Sequence, residues 1–482
     1  MPVRTQTTAP TPKYSMTGAS VASNGGYTVI YLSRDRTRFY ATTVVSSRTR
    51  RLHYSTDGGD TWTQIKDFSS ISTSVDIVGM VELPDGEILV ALSGFSTGAA
   101  QIYKTTGFVA NPATATYTLT NSGQFNTQLT SEYTLNDECI GTNGVMLAGE
   151  SGPQTDGLAA QGLTKVNGGS GYTTASLTAV SGGSGESFAV SIVGGAVERI
   201  AVLNGGTGHA DGVHSFSITG DGTGANWTYT VAGGVIDGVQ TAKARRLFIS
   251  TDFGSTWTQI FDIYTTPVYK YGLGLHLHAA AYDELWDRIW LLTGDNTGDG
   301  TTVSGYPSKT QVIYSDDRGA TWNWLDAAPY VEGHSIEAQY TSINCYKHAI
   351  VLGTDALYTP FATLTIPRTG YRTLGTPHFG GGLYVNGTGI LRLFRRAYSP
   401  SNQYPSLVTY SIGATSNDPV VLITHDGGFT WTELWRETDF ATRPLLSGGC
   451  IRSMFGPDVN NKLLGNYFNY SSFLKGTLVQ NF

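Results

Sequence analysis

The chain has 482 residues, with 30 Lys plus Arg against 37 Asp plus Glu, a formal net charge of −7 spread without a block of like sign. That balance excludes the electrostatic footprint of a nucleic-acid or anionic-membrane binder, and no run of about 18 apolar residues is present to span a bilayer. Charged residues make up 14% of the chain, below the roughly 25% of an average globular protein. Gly fills 60 positions, so a turn-rich, sheet-rich, all-β protein is expected.

The first stretch, MPVRTQTTAPTPKYS, lacks the apolar core of a signal peptide, so synthesis in the cytoplasm is expected. RFYATTVV, GEILVALSG, DRIWLLTG and HAIVLGTD are rich in β-branched and aromatic residues, are bounded by Gly, Asp or Asn, and read as strands. The densest basic cluster, RTRRLH at 48–53, is expected to guard an exposed strand edge against aggregation. STDGGDTW follows at 55–62 and returns as STDFGSTW at 250–257, SDDRGATW at 315–322 and THDGGFTW at 424–431. Each copy lies between two strand-like segments, which makes it a hairpin turn. The short carboxylates Asp57, Asp252, Asp317 and Asp426 can accept bonds from turn N–H groups. Gly at the fifth position can take positive φ, and Trp62, Trp257, Trp322 and Trp431 supply apolar burial.

Residues 153–242 break this rhythm between GVMLAGE and ARRLFISTD. The segment 166–202 is echoed by 203–239, with an offset of 37 that grows to 39, which predicts a small glycine-rich β domain of two repeats. The expected organisation is therefore 1–152 and 243–482 as one β unit, interrupted by 153–242. LHLHAAAYDELWDRIWLLTGD, at 275–295, contains His276 and His278 two residues apart, on one face of a strand. One reading makes these histidines backbone-bonded or paired with Asp283 at a structural junction. The other makes them a polar binding site with Asp295 and His334 nearby. No third metal ligand is evident, and no metal or cofactor is expected. Cys139, Cys345 and Cys450 are odd in number and widely spaced, as buried small hydrophobes would be.

The S-x-D-x-G-x-T-W turns resemble the Asp-box, or bacterial neuraminidase repeat, of sialidase-like β-propellers. The resemblance implies a propeller whose boxes sit between the third and fourth strands of a blade, away from the central site, with structural aspartates. Tryptophan spacing counts to seven blades, or six if a terminal segment only completes another blade, the blade before the insertion having the worn turn IYKTTGF. A sialidase would have an arginine in an R-I-P element ahead of the first box. Residues 17–54 contain none, and TIPRTG at 365–370 has another order, so sialidase activity is not expected. Another glycosidase would need two carboxylates across the central cleft, from candidates Asp137, Glu138, Asp283, Asp295, Glu332 and Glu337. Tyr172, Trp227, Tyr398 and Tyr404 lie in loop-like contexts suited to sugar stacking or a protein interface, and equally to an ordinary core.

The inserted repeats are similar to glycine-rich repeats of tail-fibre and tail-spike proteins of tailed bacteriophages. The combined expectation is a six- or seven-bladed β-propeller with a small β-rich insertion, acting as a virion protein of a tail or surface appendage. Its partners would be other virion proteins and bacterial surface glycan, without nucleic acid or membrane insertion, and it would be a homo-oligomer in the particle. The alternatives are a glycoside hydrolase that degrades surface polysaccharide and a purely structural decoration or connector protein.

Overall fold

The computed structural model describes residues 14–23, 25–94, 100–120, 125, 129, 134–135, 139–150, 163–237, 246–262, 266, 276–294, 311–325, 340–356, 363–376, 378–379, 389–394, 406–412, 420–424, 429, 432–436, 451–467 and 472–480. Among these there is no α-helix, only two short 3-10 turns, Phe68–Ser70 and Pro112–Thr114.

Seven antiparallel units follow one another along the chain. The first blade is Tyr27–Leu32, Phe39–Val45, Arg48–Ser55 and Thr63–Asp67, hydrogen-bonded in that order. The second is Asp76–Glu82, Ile88–Ser93, Gln101–Thr106 and Thr116–Leu119. In the third, Met146–Gly149, Arg246–Ser250 and Thr258–Asp262 form the sheet, and bridges Leu129 to Glu150 and Ile140 to Met146 mark a broken inner strand.

The fourth blade is His276–Asp283, Arg288–Gly294, Gln311–Ser315 and Asn323–Trp324, and the fifth is Tyr340–Cys345, Ala349–Ala356, Thr363–Gly370 and Thr373–Leu374. The sixth, Gly389–Phe394, Ser406–Ile412, Val420–Thr424 and Thr432–Arg436, is joined to the fifth where Asp355 pairs with Ile390. The seventh takes Ile451–Phe455, Lys462–Tyr467 and Ser472–Gln480 from the end of the chain and its outermost strand, Tyr14–Ser23, from the beginning.

The innermost strands form a ring. Tyr27–Leu32 contacts Asp76–Glu82 on one side and Ile451–Phe455 on the other, and contacts run on from His276–Asp283 through Tyr340–Cys345 and Gly389–Phe394 to Ile451–Phe455. Between blades two and three, Gly79 approaches so closely that a Cβ there would lie 2.2 Å from the carbonyl oxygen of Thr134. The third blade reaches the fourth where the Cys139 thiol donates to the Ala280 carbonyl at 3.3 Å. The molecule is thus a β-propeller of seven blades, closed by its two ends.

The core lies between blades. Ile88, Leu89, Val90, Ala91 and Leu92 are all fully buried, because a middle strand is covered on both faces by its neighbours and so reads as an unbroken apolar run. One apolar cluster spans blades one to three, and another joins Leu147, Leu247 and Phe261 of the third blade to Leu277, Tyr282 and Leu291 of the fourth. Cys139 and Cys345 are buried, as small hydrophobes would be, and Cys450 lies outside the described residues.

Two departures from the sequence reading are local. The basic cluster at 48–53 lies on the third strand of the first blade, an interior strand of the sheet that is paired on both sides from Arg51 on, and not on a sheet edge. Arg48 pairs with Asp76 at 2.8 Å and Arg51 with Asp67 at 2.8 Å, while buried Arg50 donates to the carbonyls of Thr73 and Val45. Register also shifts between the first two strands at Val29/Tyr31, Ile77/Gly79, Leu277/Ala279, Tyr340/Ser342 and Ile451/Ser453, so five blades share a bulge at one level of the inner strand.

Candidate functional site

The meander gives the propeller two unlike faces. Turns between first and second strands and between third and fourth strands share one face, as the Arg318–Asp287 contact of 3.2 Å in the fourth blade illustrates. Turns between second and third strands and the links between blades share the other.

The boxes stand on the first of these faces, between third and fourth strands. In the first, Thr61 donates its N–H to Asp57 Oδ1 at 2.9 Å and its hydroxyl to Oδ2 at 2.5 Å, and the Ser55 hydroxyl donates to Oδ1 at 2.7 Å while accepting the Gly59 N–H at 2.8 Å. Asp252 and Asp317 repeat the set with Thr256 and Ser250, and with Thr321 and Ser315. Partial burial alone would raise these carboxyls. The Thr and Ser hydrogen bonds to the ionised form outweigh it, holding Asp57 down at about 2 and Asp252 and Asp317 below the ordinary value. Such carboxylates are spoken for by their own turns and are too acidic for proton transfer near neutrality.

The glycines and tryptophans clasp each box to the preceding blade. Gly254 has φ +76, and a Cβ there would lie 2.3 Å from Leu89 of the second blade, so both conformation and space demand glycine. Trp257 is fully buried, Trp62 lies against Phe473 of the seventh blade with ring centroids 6.2 Å apart, and the Trp322 indole N–H donates to the Ile260 carbonyl of the third blade at 3.0 Å. In the worn turn of the second blade, Glu87 of the adjacent turn replaces the missing aspartate, accepting the N–H of Gly107 at 2.8 Å. Asp426 and Trp431 lie outside the described residues.

Asp283 also belongs to this face, at the end of the fourth blade's inner strand. It is buried, 2.7 Å from Arg368 of the fifth blade, and accepts from the Trp290 indole at 3.4 Å. Arg368 in turn lies 4.1 Å over the Trp286 ring, and Arg288 pairs with Asp316 at 2.7 Å between aromatic faces. This is a blade-to-blade lock. His278 is buried, and the register of the strand shifts beside it, between Leu277 and Ala279. Asp295 and His334 lie outside the described residues, as do Asp137, Glu138, Glu332, Glu337, Tyr398 and Tyr404. His276 pairs with Gly294, which puts it at the opposite end of the strand from Asp283. Among the described residues no group of three His, Cys, Asp or Glu side chains could hold a metal ion.

The opposite face carries the insertion, between the second and third strands of the third blade. Its base is a part-buried ion pair: Glu150 accepts from the Arg246 guanidinium at 2.7 and 3.0 Å and from the Arg246 backbone N–H at 3.1 Å, joining the last described residue before the module to the first described residue after it. Leu163–Ser170, Thr223–Ala232, Gly212–Gly220 and Ala175–Ala179 form one sheet in that order, and Ser184–Val193 with Ala196–Thr207 form a hairpin beside it. The duplication is visible in matched bonds. Tyr172 N–H donates to the Gly195 carbonyl at 2.8 Å and His209 N–H to that of Gly234 at 3.0 Å, while Asn167 and Asn204 each accept the N–H two residues on.

Tyr172 and Trp227, expected as exposed stacking surfaces, are 4% and 7% exposed and form the module's core with Phe216 and Tyr229. A small domain needs its aromatic rings inside. His209, the counterpart of Tyr172, is buried against Gly183 and Gly206 and bonded to the Ser181 hydroxyl at 3.0 Å. Ala189 joins the apolar cluster of Leu147 and Leu247 in the propeller.

Fold and turns together define a class, a seven-bladed β-propeller with Asp-box turns on one face and a duplicated β module on the other. No family model and no curated protein matches the chain. Solved structures do. Raptor of Chaetomium thermophilum is similar at a TM-score of 0.46 and 8% identity over 97% of this chain, which spans 30% of the Raptor chain. The C-terminal WD40 domain of Sif2 is similar at a TM-score of 0.42 and 10% identity over 96% of this chain and 98% of that one. A point mutant of the NanB sialidase of Streptococcus pneumoniae is similar at a TM-score of 0.35 and 11% identity over 98% of this chain and 71% of that one. The propeller assignment rests on the ring of seven sheets, not on these likenesses.

Proposed function

We propose that the chain is a bacteriophage virion protein of a tail or surface appendage that binds bacterial surface glycan, with the propeller as scaffold. The observation that carries this reading is the placement of the insertion. A bidentate Glu150–Arg246 pair clamps together the two strands between which a compact module departs, on the face away from the boxes, where a displayed binding element would stand. The likeness of the inserted repeats to those of phage tail proteins supports the setting. The described box carboxylates hold turns, which favours binding over hydrolysis. Several copies on one particle would sum weak sites into useful avidity.

The test is size-exclusion chromatography of purified bacterial surface polysaccharide after overnight mixing with the protein. Sugar of unchanged size that carries protein forward with it supports the binder. Sugar that elutes later as shortened chains overturns it in favour of a glycosidase, and no co-elution with any polysaccharide leaves the structural connector in its place.

A further inference from the structure

The four-stranded sheet of the inserted module has one face in its core and one in solvent. Leu177, Phe216, Trp227 and Tyr229 point inward. The residues between them point outward, and they are hydroxyl-bearing in register: Ser176 stands opposite Thr219, Thr178 opposite Ser217, Ser215 opposite Thr228, and Thr228 opposite Thr164. All of these but half-buried Thr228 are exposed.

Every outward position on Ala175–Ala179, Gly212–Gly220 and Thr223–Ala232 is Ser, Thr, Asn, Val, Ala or Gly. Charge guards most exposed sheets, and its absence across three adjacent strands narrows what this one can meet. Without Lys or Arg it does not suit nucleic acid or an acidic polymer. Without Trp, Tyr or Arg it lacks the anchors on which protein interfaces depend. A hydroxyl both donates and accepts, in rows about 4.8 Å apart from strand to strand. The complementary surface is one that is itself uncharged and dense in hydroxyls.

We propose that this outward face is the contact for a neutral polysaccharide laid across the sheet. The inference rests on the glycan-binding reading above and adds the site and the class of sugar. Recognition runs through hydroxyl pairs, since Tyr172 and Trp227 are inside the module.

The experiment measures binding of the full chain to a neutral bacterial O-polysaccharide and to an acidic capsular polysaccharide by titration calorimetry. Two variants are compared with it, Thr178→Val with Thr228→Val, which removes hydroxyls while keeping β-branched shape, and Ser217→Lys. Near-UV circular dichroism of buried Trp227 reports folding, and if Ser217→Lys misfolds the valine pair is read alone. The expected result is preference for the neutral polymer, weakened about ten-fold or more in the variants, a loss of one or two net hydrogen bonds. Unchanged variant affinity overturns the site while leaving the glycan reading intact, and preference for the acidic polymer overturns the sugar class. If the unaltered chain binds neither, the glycan reading itself fails.

Discussion

At the scale of single residues, the box aspartates show how a hydrogen-bonded carboxylate becomes structural. Replacing Asp252 by Ala removes the acceptor of the exposed Thr256 N–H and hydroxyl, which water can then solvate, and is expected to lower unfolding stability by about 1 kcal/mol, read from the urea midpoint. Because the box carboxyls are depressed in the folded state, the unfolded chain takes up protons first, so their contribution is full above pH of about 4 and is lost as pH falls toward 2. His53 acts in the same direction. Burial first and Arg51 second lower it from 6.5 to about 4, so stability falls as pH drops through that window. In His53→Phe the stability slope between pH 6.5 and 4 should flatten, as a series of urea melts would show. The box residues were legible in the sequence because each motif satisfies itself within eight positions. For Asp283 the sequence offered a structural junction but not its partner, because Arg368 stands 85 residues away in the next blade and no local pattern announces it.

At the scale of elements, the insertion should behave as a graft on a complete hairpin. Gly149 pairs directly with Leu247, so the two flanking strands already face each other where the module departs. Replacing residues 151–245 by a short glycine-containing turn is expected to leave the thermal midpoint within a few degrees of the parent. Arg246→Ala in the full chain leaves Glu150 buried without its partner and should cost about 3–5 kcal/mol, measured by denaturant unfolding. The module's two repeats were readable from glycine spacing, because positive-φ turns leave a periodic trace. Which aromatics they enclosed was not, since a ring flanked by glycines reads as a loop until the neighbouring strand is known. The bulge beside His278 was equally silent, for an extra residue in a strand has no signature of its own.

At the scale of the whole molecule, seven sheets close only because Tyr14–Ser23 pairs with Ser472–Gln480. Deleting residues 1–23 should leave the 472–480 strand as a bare edge, lower the cooperativity of urea unfolding and produce oligomers on size exclusion. The blade count could be approached from tryptophan spacing, since each box marks one blade. A terminal segment that completes another blade was among the alternatives, but which strands meet could not be read, because Ser23 and its partner Ser472 are 449 residues apart.

That closure also imposes an order in time. A strand near the start of the chain has no partner until one near its end leaves the ribosome, a wait on the order of tens of seconds at about 5–20 residues per second. The nascent chain must therefore carry segment 14–23 unmatched until residues 472–480 have emerged, and the ring can be sealed only then. A circular permutant that starts at Tyr27 and places residues 1–23 after Gln480 would turn the most distant pairing into an adjacent hairpin. It should refold faster than the parent after dilution from urea, with the same final fluorescence.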